Sequence, residues 1–261
     1  MADTSIEWAD KSWNPVTGCS TDVRCHDDRL KQPISWKKPK RKPGDTRPDS
    51  LLIFVNSMSD LFHEDVPFEF IDDVFAVMAK CPQHTHLTLT KRPGRMLEYF
   101  NTSGALWGRV IDPWPLPNVW LGVSVEDQKT ADERIPLLLQ MPAAVRWVSY
   151  EPALGPVQLD LAPARFNERS IDWLVCGGES GHGARPMQLS WARSARDQCV
   201  SAGIPFFFKQ WGEWLPAGRD ADTWDGLPIP ASYEPVRVGK KAAGRLLDMR
   251  EWNKFPKTVQ G

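Results

Sequence analysis

The sequence has no CxxC pair. Its five cysteines, Cys19, Cys25, Cys81, Cys176 and Cys199, are odd in number and widely scattered, which excludes both a disulfide framework and a four-thiolate zinc ribbon. Net charge is equally scarce. The 32 basic and 33 acidic side chains leave a formal charge of -1, against a globally electrostatic binder of nucleic acid or anionic membrane. No apolar run approaches the roughly 20 residues that a bilayer-spanning helix needs. No charged-then-apolar leader follows Met1, so the expected setting is the cytoplasm, with no membrane partner.

What is there suits a sizeable core: 261 residues, 41% of them hydrophobic, with 13 tryptophans. Short apolar runs end in polar residues or glycine and read as parallel strands. Leu51 to Met58 is the clearest, apolar on both faces as a parallel sheet requires. His86 to Arg92, Val119 to Glu126, Val145 to Glu151, Trp173 to Glu179 and Pro205 to Gln210 follow, with Ser5 to Trp8 as a weak seventh. Between the first two, Pro67 to Lys80 places Ile71, Val74, Phe75 and Met78 on one helical face. Asp127 to Arg134 is helical in character, and Pro136 is expected to break or restart that helix. Leu189 to Ala202 is a helix with Trp191, Ala195 and Cys199 spaced four apart and Gly203 as its stop. Alternating strands and helices favour a doubly wound sheet or a (β/α) barrel of the triosephosphate-isomerase type. The expectation carried forward is a barrel over 1–215, complete or short of strands, with a basic, proline-rich loop at 29–50. An irregular C-terminal extension, 216–261, packs on it through Trp211, Trp214 and Trp224, with a hairpin around Gly239-Lys240.

Polar residues gather where each strand ends, and in parallel α/β folds that end carries the ligand site. Glu126, Glu151 and Glu179, with Lys91 and Lys209, are the candidate catalytic groups. Asn56, Ser57, Asp60, Ser124, Gly177, Gly178 and Gln210 are the candidate ligand contacts. Two of the glutamates facing each other would suit acid/base or sugar-cleaving chemistry without a metal; capping helices or pairing with Lys91, Arg92 and Lys209 is the alternative. The Gly177-to-Gly183 segment matches no named phosphate loop. Its glycines either admit a ligand to the backbone or make a tight bend.

Cys19, Cys25 and His26 share one loop, but structural zinc uses closer cysteine pairs and a second pair elsewhere, so no bound metal is expected there. His84 and His86 point to one side of a strand at its entry end and carry the same expectation. From Arg29 to Arg47 eight basic residues stand against one acidic residue, Asp45. Trp36, Lys37, Lys38, Lys40, Arg41 and Lys42 make a stretch suited to phosphate contact with a stacking ring, or a solvated loop.

The blocks Trp13–Cys19, Phe54–Phe62, Leu89–Pro93, Trp120–Glu126, Gly177–Gly181 and Phe206–Trp214 together resemble the phage and prophage three-cysteine-motif family, whose function is not established. The resemblance covers nearly the whole chain. It implies a radical-SAM-like barrel in a phage-infected or lysogenic bacterial cell, with three thiolates holding a [4Fe-4S] cluster that leaves one iron open for S-adenosylmethionine. Cys19 matches the first of those cysteines. The CxxC-Tyr element that follows it in the family is missing, and the residues around Cys25 match a later family segment, so the cluster site is expected to be an incomplete remnant. Two readings of function are carried forward from the residues: an enzyme with a polar pocket at the strand ends, or a non-catalytic protein that binds nucleic acid, or a phage or host protein, through its basic loop.

Overall fold

The computed structural model describes residues 6–18, 22–102, 107–161, 170–216 and 234–257. It is a mixed α/β fold with a seven-stranded parallel sheet. The strands are β1 (Lys11–Trp13), β2 (Leu51–Val55), β3 (His84–Thr90), β4 (Val119–Val125), β5 (Val145–Tyr150), β6 (Trp173–Gly177) and β7 (Phe206–Gln210). They lie in the sheet in chain order. A doubly wound sheet reverses its order at a switch point, and this one never does, so every crossover winds the same way, as in a (β/α) barrel.

The order ends at β1 and β7, and among the described residues no pairing joins them. The free edge of β7 is taken by the chain's own tail. Phe208 N donates to Trp252 O at 2.8 Å and Lys254 N to Phe206 O at 3.2 Å, an antiparallel bridge centred on Phe207 and Asn253. A strand edge covered this way is removed as a template for further pairing.

The chain divides into two compact units, one made of 1–123, 134–147 and 257–261, the other of 124–133 and 148–256. In the first, β1, β2, β3 and β4 pair in parallel, with Trp13 opposite Val55 and Thr90 opposite Val123 at the exit ends. Helix α1 (Phe68–Ala79) buries Ile71, Val74, Phe75 and Met78 as the spacing predicts. In the second unit β6 and β7 pair in parallel. Helix Leu189–Ala202 there ends on Gly203 at φ +72°, a left-handed cap. Its buried stripe is Leu189, Ala192, Ala195 and Cys199, which passes beside Trp191 rather than through it.

Three local expectations are corrected, and one helix that the sequence reading did not include is added. The first strand is Lys11–Trp13, not Ser5 to Trp8, where Trp8 sits in a turn and Ser5 lies outside the described residues. A helix, Pro93–Asn101, follows β3 directly with proline in its first turn, where a missing N–H costs nothing. Helix Gln128–Leu138 runs on through Pro136; the lost donor leaves one carbonyl to satisfy, while Leu139 N still bonds Ile135 O at 3.0 Å. Val236–Arg237 pairs with Trp214–Leu215 rather than across Gly239-Lys240, which opens a short helix, Lys240–Ala243. Trp224 lies outside the described residues. No helix among the described residues is long and apolar enough to cross a membrane.

Candidate functional site

In the second unit the strand exits bring Glu151, Gly177, Lys209 and Gln210 together. Glu151 follows β5, Gly177 ends β6, and Lys209 and Gln210 end β7. Lys209 Nζ lies 2.8 Å from Glu151 Oε1, with the two side chains only 14% and 18% exposed. Gln210 Nε2 approaches the same oxygen at 3.5 Å. Neighbours on a strand ordinarily face opposite ways. Here the β6–β7 register slips: Cys176 pairs with Phe208, but Gly177 pairs with Gln210, leaving Lys209 as the extra residue of a bulge. Bulges re-aim side chains, and this one turns two consecutive residues toward one carboxylate.

Gly177 leaves room for that pair. A Cβ built on it would stand 3.3 Å from Glu151 Cδ and 3.4 Å from Lys209 Cβ. Gly178 has a different cause, because its Cβ would lie 2.0 Å from Trp211 O. The two backbones touch there: Gly178 N donates to Gln210 O at 2.9 Å and Glu213 N to Glu179 O at 3.0 Å. The glycines expected to admit a ligand therefore admit, in order, an ion pair and a neighbouring strand end.

Glu179 is held by Arg185, whose Nε and Nη2 each donate at 2.8 Å, one to either carboxylate oxygen. Those hydrogen bonds hold the guanidinium above its ordinary pKa, with the charges of Glu179 and Glu126 adding to them. The loop between is drawn in by Gly181 N donating to Glu213 Oε1 at 3.0 Å. Glu126 fixes the next turn through its backbone, receiving Leu154 N at 2.8 Å and donating to Thr130 Oγ1 at 2.9 Å. Ser124 is buried at the end of β4. The three glutamates and two cations thus gather at the exits of this unit, with Glu151 and Glu179 each facing its own cation. Gln210 Oε1, on a residue 3% exposed, is buried without a hydrogen bond among the described residues.

In the first unit Asp60 is the centre. Its carboxylate accepts Thr90 Oγ1 at 2.8 and 2.9 Å, Phe62 N at 3.0 Å and Lys91 N at 3.0 Å, and Arg92 Nη1 lies 3.3 Å away. This ties the exit of β2 to the exit of β3. Asn56, at φ +59°, accepts Val16 N on Oδ1 at 3.2 Å, while its buried Nδ2 has no hydrogen bond among the described residues. Ser57 Oγ donates to Asn14 Oδ1 at 3.1 Å, and Lys91 is exposed.

The basic stretch is anchored rather than loose. Arg41 reaches both oxygens of Asp10 at 2.6 and 2.7 Å and also donates to the carbonyls of Pro48 and Ser50. Arg47 reaches Asp10 at 2.9 Å. Lys11 Nζ lies 5.3 Å from the centre of the half-buried Trp36 ring. Lys37, Lys38, Lys40 and Lys42 are exposed.

A family model described as a protein of unknown function (DUF5131) matches residues 20–256. The chain belongs to this family. No curated protein and no solved structure matches it. In this DUF5131 member the residues do not fit an iron–sulfur cluster. Cys19 lies outside the described residues, and the sequence from Gly18 to His26 holds two thiols rather than three. Among the described residues no three His, Cys, Asp or Glu side chains gather as a metal site. Cluster ligands are thiolates, and of the cysteines among the described residues Cys81, Cys176 and Cys199 are buried, whereas Cys25 alone is exposed. The zwitterionic end of S-adenosylmethionine is different, since Lys209, Glu151 and the unmatched Gln210 Oε1 offer complementary charge and an acceptor.

Sequence reading found every residue of the Glu151 group but not that Lys209 and Gln210 share a target. The bulge that joins them leaves no mark in an apolar run. Arg185 was missed because it lies in a loop with no periodicity.

Proposed function

We propose that the protein binds a small zwitterionic ligand of the α-amino-acid kind at the strand exits of the second unit. Lys209 takes the carboxylate; Glu151 and Gln210 Oε1 take the ammonium. The observation that carries this reading is the bulge at Lys209, which aims two consecutive side chains at one carboxylate beside a position kept clear by glycine. A mostly buried ion pair is costly to desolvate and contributes little net stability. An unmatched buried acceptor costs about 1–3 kcal/mol. Both costs are recovered when a ligand replaces the pair's charges one for one and donates to Gln210.

The ligand that the three-cysteine-motif resemblance brings is S-adenosylmethionine, which ends in such a zwitterion and, when bound, supplies an activated sulfonium carbon. The radical-SAM-like, phage-borne lineage is part of this proposal; the iron–sulfur cluster is not, because the thiols do not suit it. Lys209 and Glu151 hold each other in place, and burial beneath them keeps the Cys176 thiol protonated, with the charge of Glu151 adding to that effect.

Calorimetric titration of S-adenosylmethionine and of L-methionine tests the reading. Both bind the wild-type chain, and Lys209→Met or Glu151→Gln weakens each at least tenfold. The absence of binding at millimolar ligand, or equal binding by wild type and variants, overturns it.

A further inference from the structure

A cavity of about 920 Å³ in the first unit lies at the entry ends of that unit's strands. Ser50 directly precedes β2, Thr85 is the second residue of β3 and Asn118 directly precedes β4, and all three line it. Its volume is that of a small-molecule pocket, and such pockets combine an apolar wall with a few polar groups. Here the wall includes Ala79, Leu116 and Trp107, and the charged groups that line it are the cations Lys38 and Lys80 and the carboxylates Asp49 and Asp112.

Two features make this more than a surface hollow. The Trp107 ring is fixed in advance: its indole N–H donates to Asp72 Oδ1 at 3.1 Å and to Tyr99 Oη at 2.9 Å. Lys38 belongs to the basic stretch that Arg41 fastens to the carbonyls of Pro48 and Ser50, both cavity residues. A held aromatic ring beside two lysines meets the two needs of one chemistry: a planar face for a heterocyclic base and positive charge for phosphate. Lys37, Lys40 and Lys42 are exposed on the same stretch as Lys38.

We propose that this cavity binds a nucleotide, with its base against Trp107 and the apolar wall and its phosphate on Lys38 and Lys80. The nucleotide is either free or one unit of a single strand whose further phosphates lie along Lys37, Lys40 and Lys42. The site shares no residue with the Glu151 group and stands independently of the function proposed there.

Titrations with AMP and with a fluorescein-labelled eight-nucleotide single strand test it, each at low and moderate salt. The wild-type chain binds one or both. Lys80→Glu, a surface change that leaves the fold intact, weakens binding at least tenfold, and Ala79→Trp, which fills the cavity, abolishes it. Lys209→Met leaves binding unchanged. Strand binding at least tenfold tighter than AMP, falling steeply with salt, identifies a polynucleotide; AMP binding as tight as strand binding identifies a free nucleotide. No binding of either probe at millimolar AMP and micromolar strand, or binding indifferent to Lys80→Glu, overturns the proposal.

Discussion

Lys209 meets Glu151 at 2.8 Å through a bulge that leaves it unpaired in the β6–β7 ladder. The pair lies between the regime of exposed pairs, worth about 0–1 kcal/mol, and that of buried ones, whose breaking costs about 3–5 kcal/mol. Each single substitution, Lys209→Met or Glu151→Gln, is therefore expected to cost about 2 kcal/mol. The double variant will cost less than their sum, because the first substitution strands a charge that the second removes. Urea unfolding of the four species measures this, and strict additivity would show that the two groups do not depend on each other.

Gly177 and Gly178 are adjacent and will respond differently. Alanine at 177 asks Glu151 and Lys209 to give by a few tenths of an ångström, at about 1 kcal/mol. Alanine at 178 drives a methyl into the Trp211 carbonyl at 2.0 Å, where only backbone movement makes room, at about 4 kcal/mol. Thermal unfolding of the two variants gives the order, and equal losses would place the two backbones further apart than described.

The strands were legible because their apolar content is local. Leu51, Val119, Val145 and Trp173 each open a strand where the reading began one, and Leu189 and Ala202 bound a helix as expected. What escaped depends on contacts distant in the chain. Lys11–Trp13 is too short and mixed to read as a strand, and it forms because β2 lies beside it. The tail seals β7 through Trp252 to Lys254, a segment with no strand pattern, because the edge there needs donors and acceptors. Likewise the strand-end carboxylates were legible as a set, but which cation each one faces is decided by a bulge and by Arg185.

Stability will fall on mild acidification. Burial holds the His86 imidazole down to about 3, with the nearby His84 adding to the effect, and burial lowers His84 as well. Unfolded histidine takes a proton near pH 6.5. From there down to pH 4.5 the unfolded chain binds a proton at His86 that the folded chain refuses, so His86 removes about 1.4 kcal/mol per pH unit, and the lowered His84 adds to the fall in the same direction. Urea unfolding across this window will show the slope, and His86→Leu will flatten it. An unchanged slope would mean that His86 already titrates normally in the folded chain.

Asp60 serves four donors from two strand exits. Asp60→Ala strands the buried Thr90 hydroxyl and two backbone N–H groups, for a loss of about 3 kcal/mol. Asp60→Asn keeps one acceptor oxygen and will lose less. Hydrogen exchange at Phe62 and Lys91 localises the effect, and protection unchanged in Asp60→Ala would count against it.

The central claim is that the bulge at Lys209 builds the head-group site for an amino-acid ligand. Crystals soaked with L-selenomethionine test it most directly through the anomalous signal of selenium. The account predicts a peak beside Gly177, with the ligand carboxylate on Lys209 and its ammonium on Glu151 and Gln210 Oε1. A Lys209–Glu151 pair left closed, with selenium elsewhere or absent at saturating soak, would contradict it.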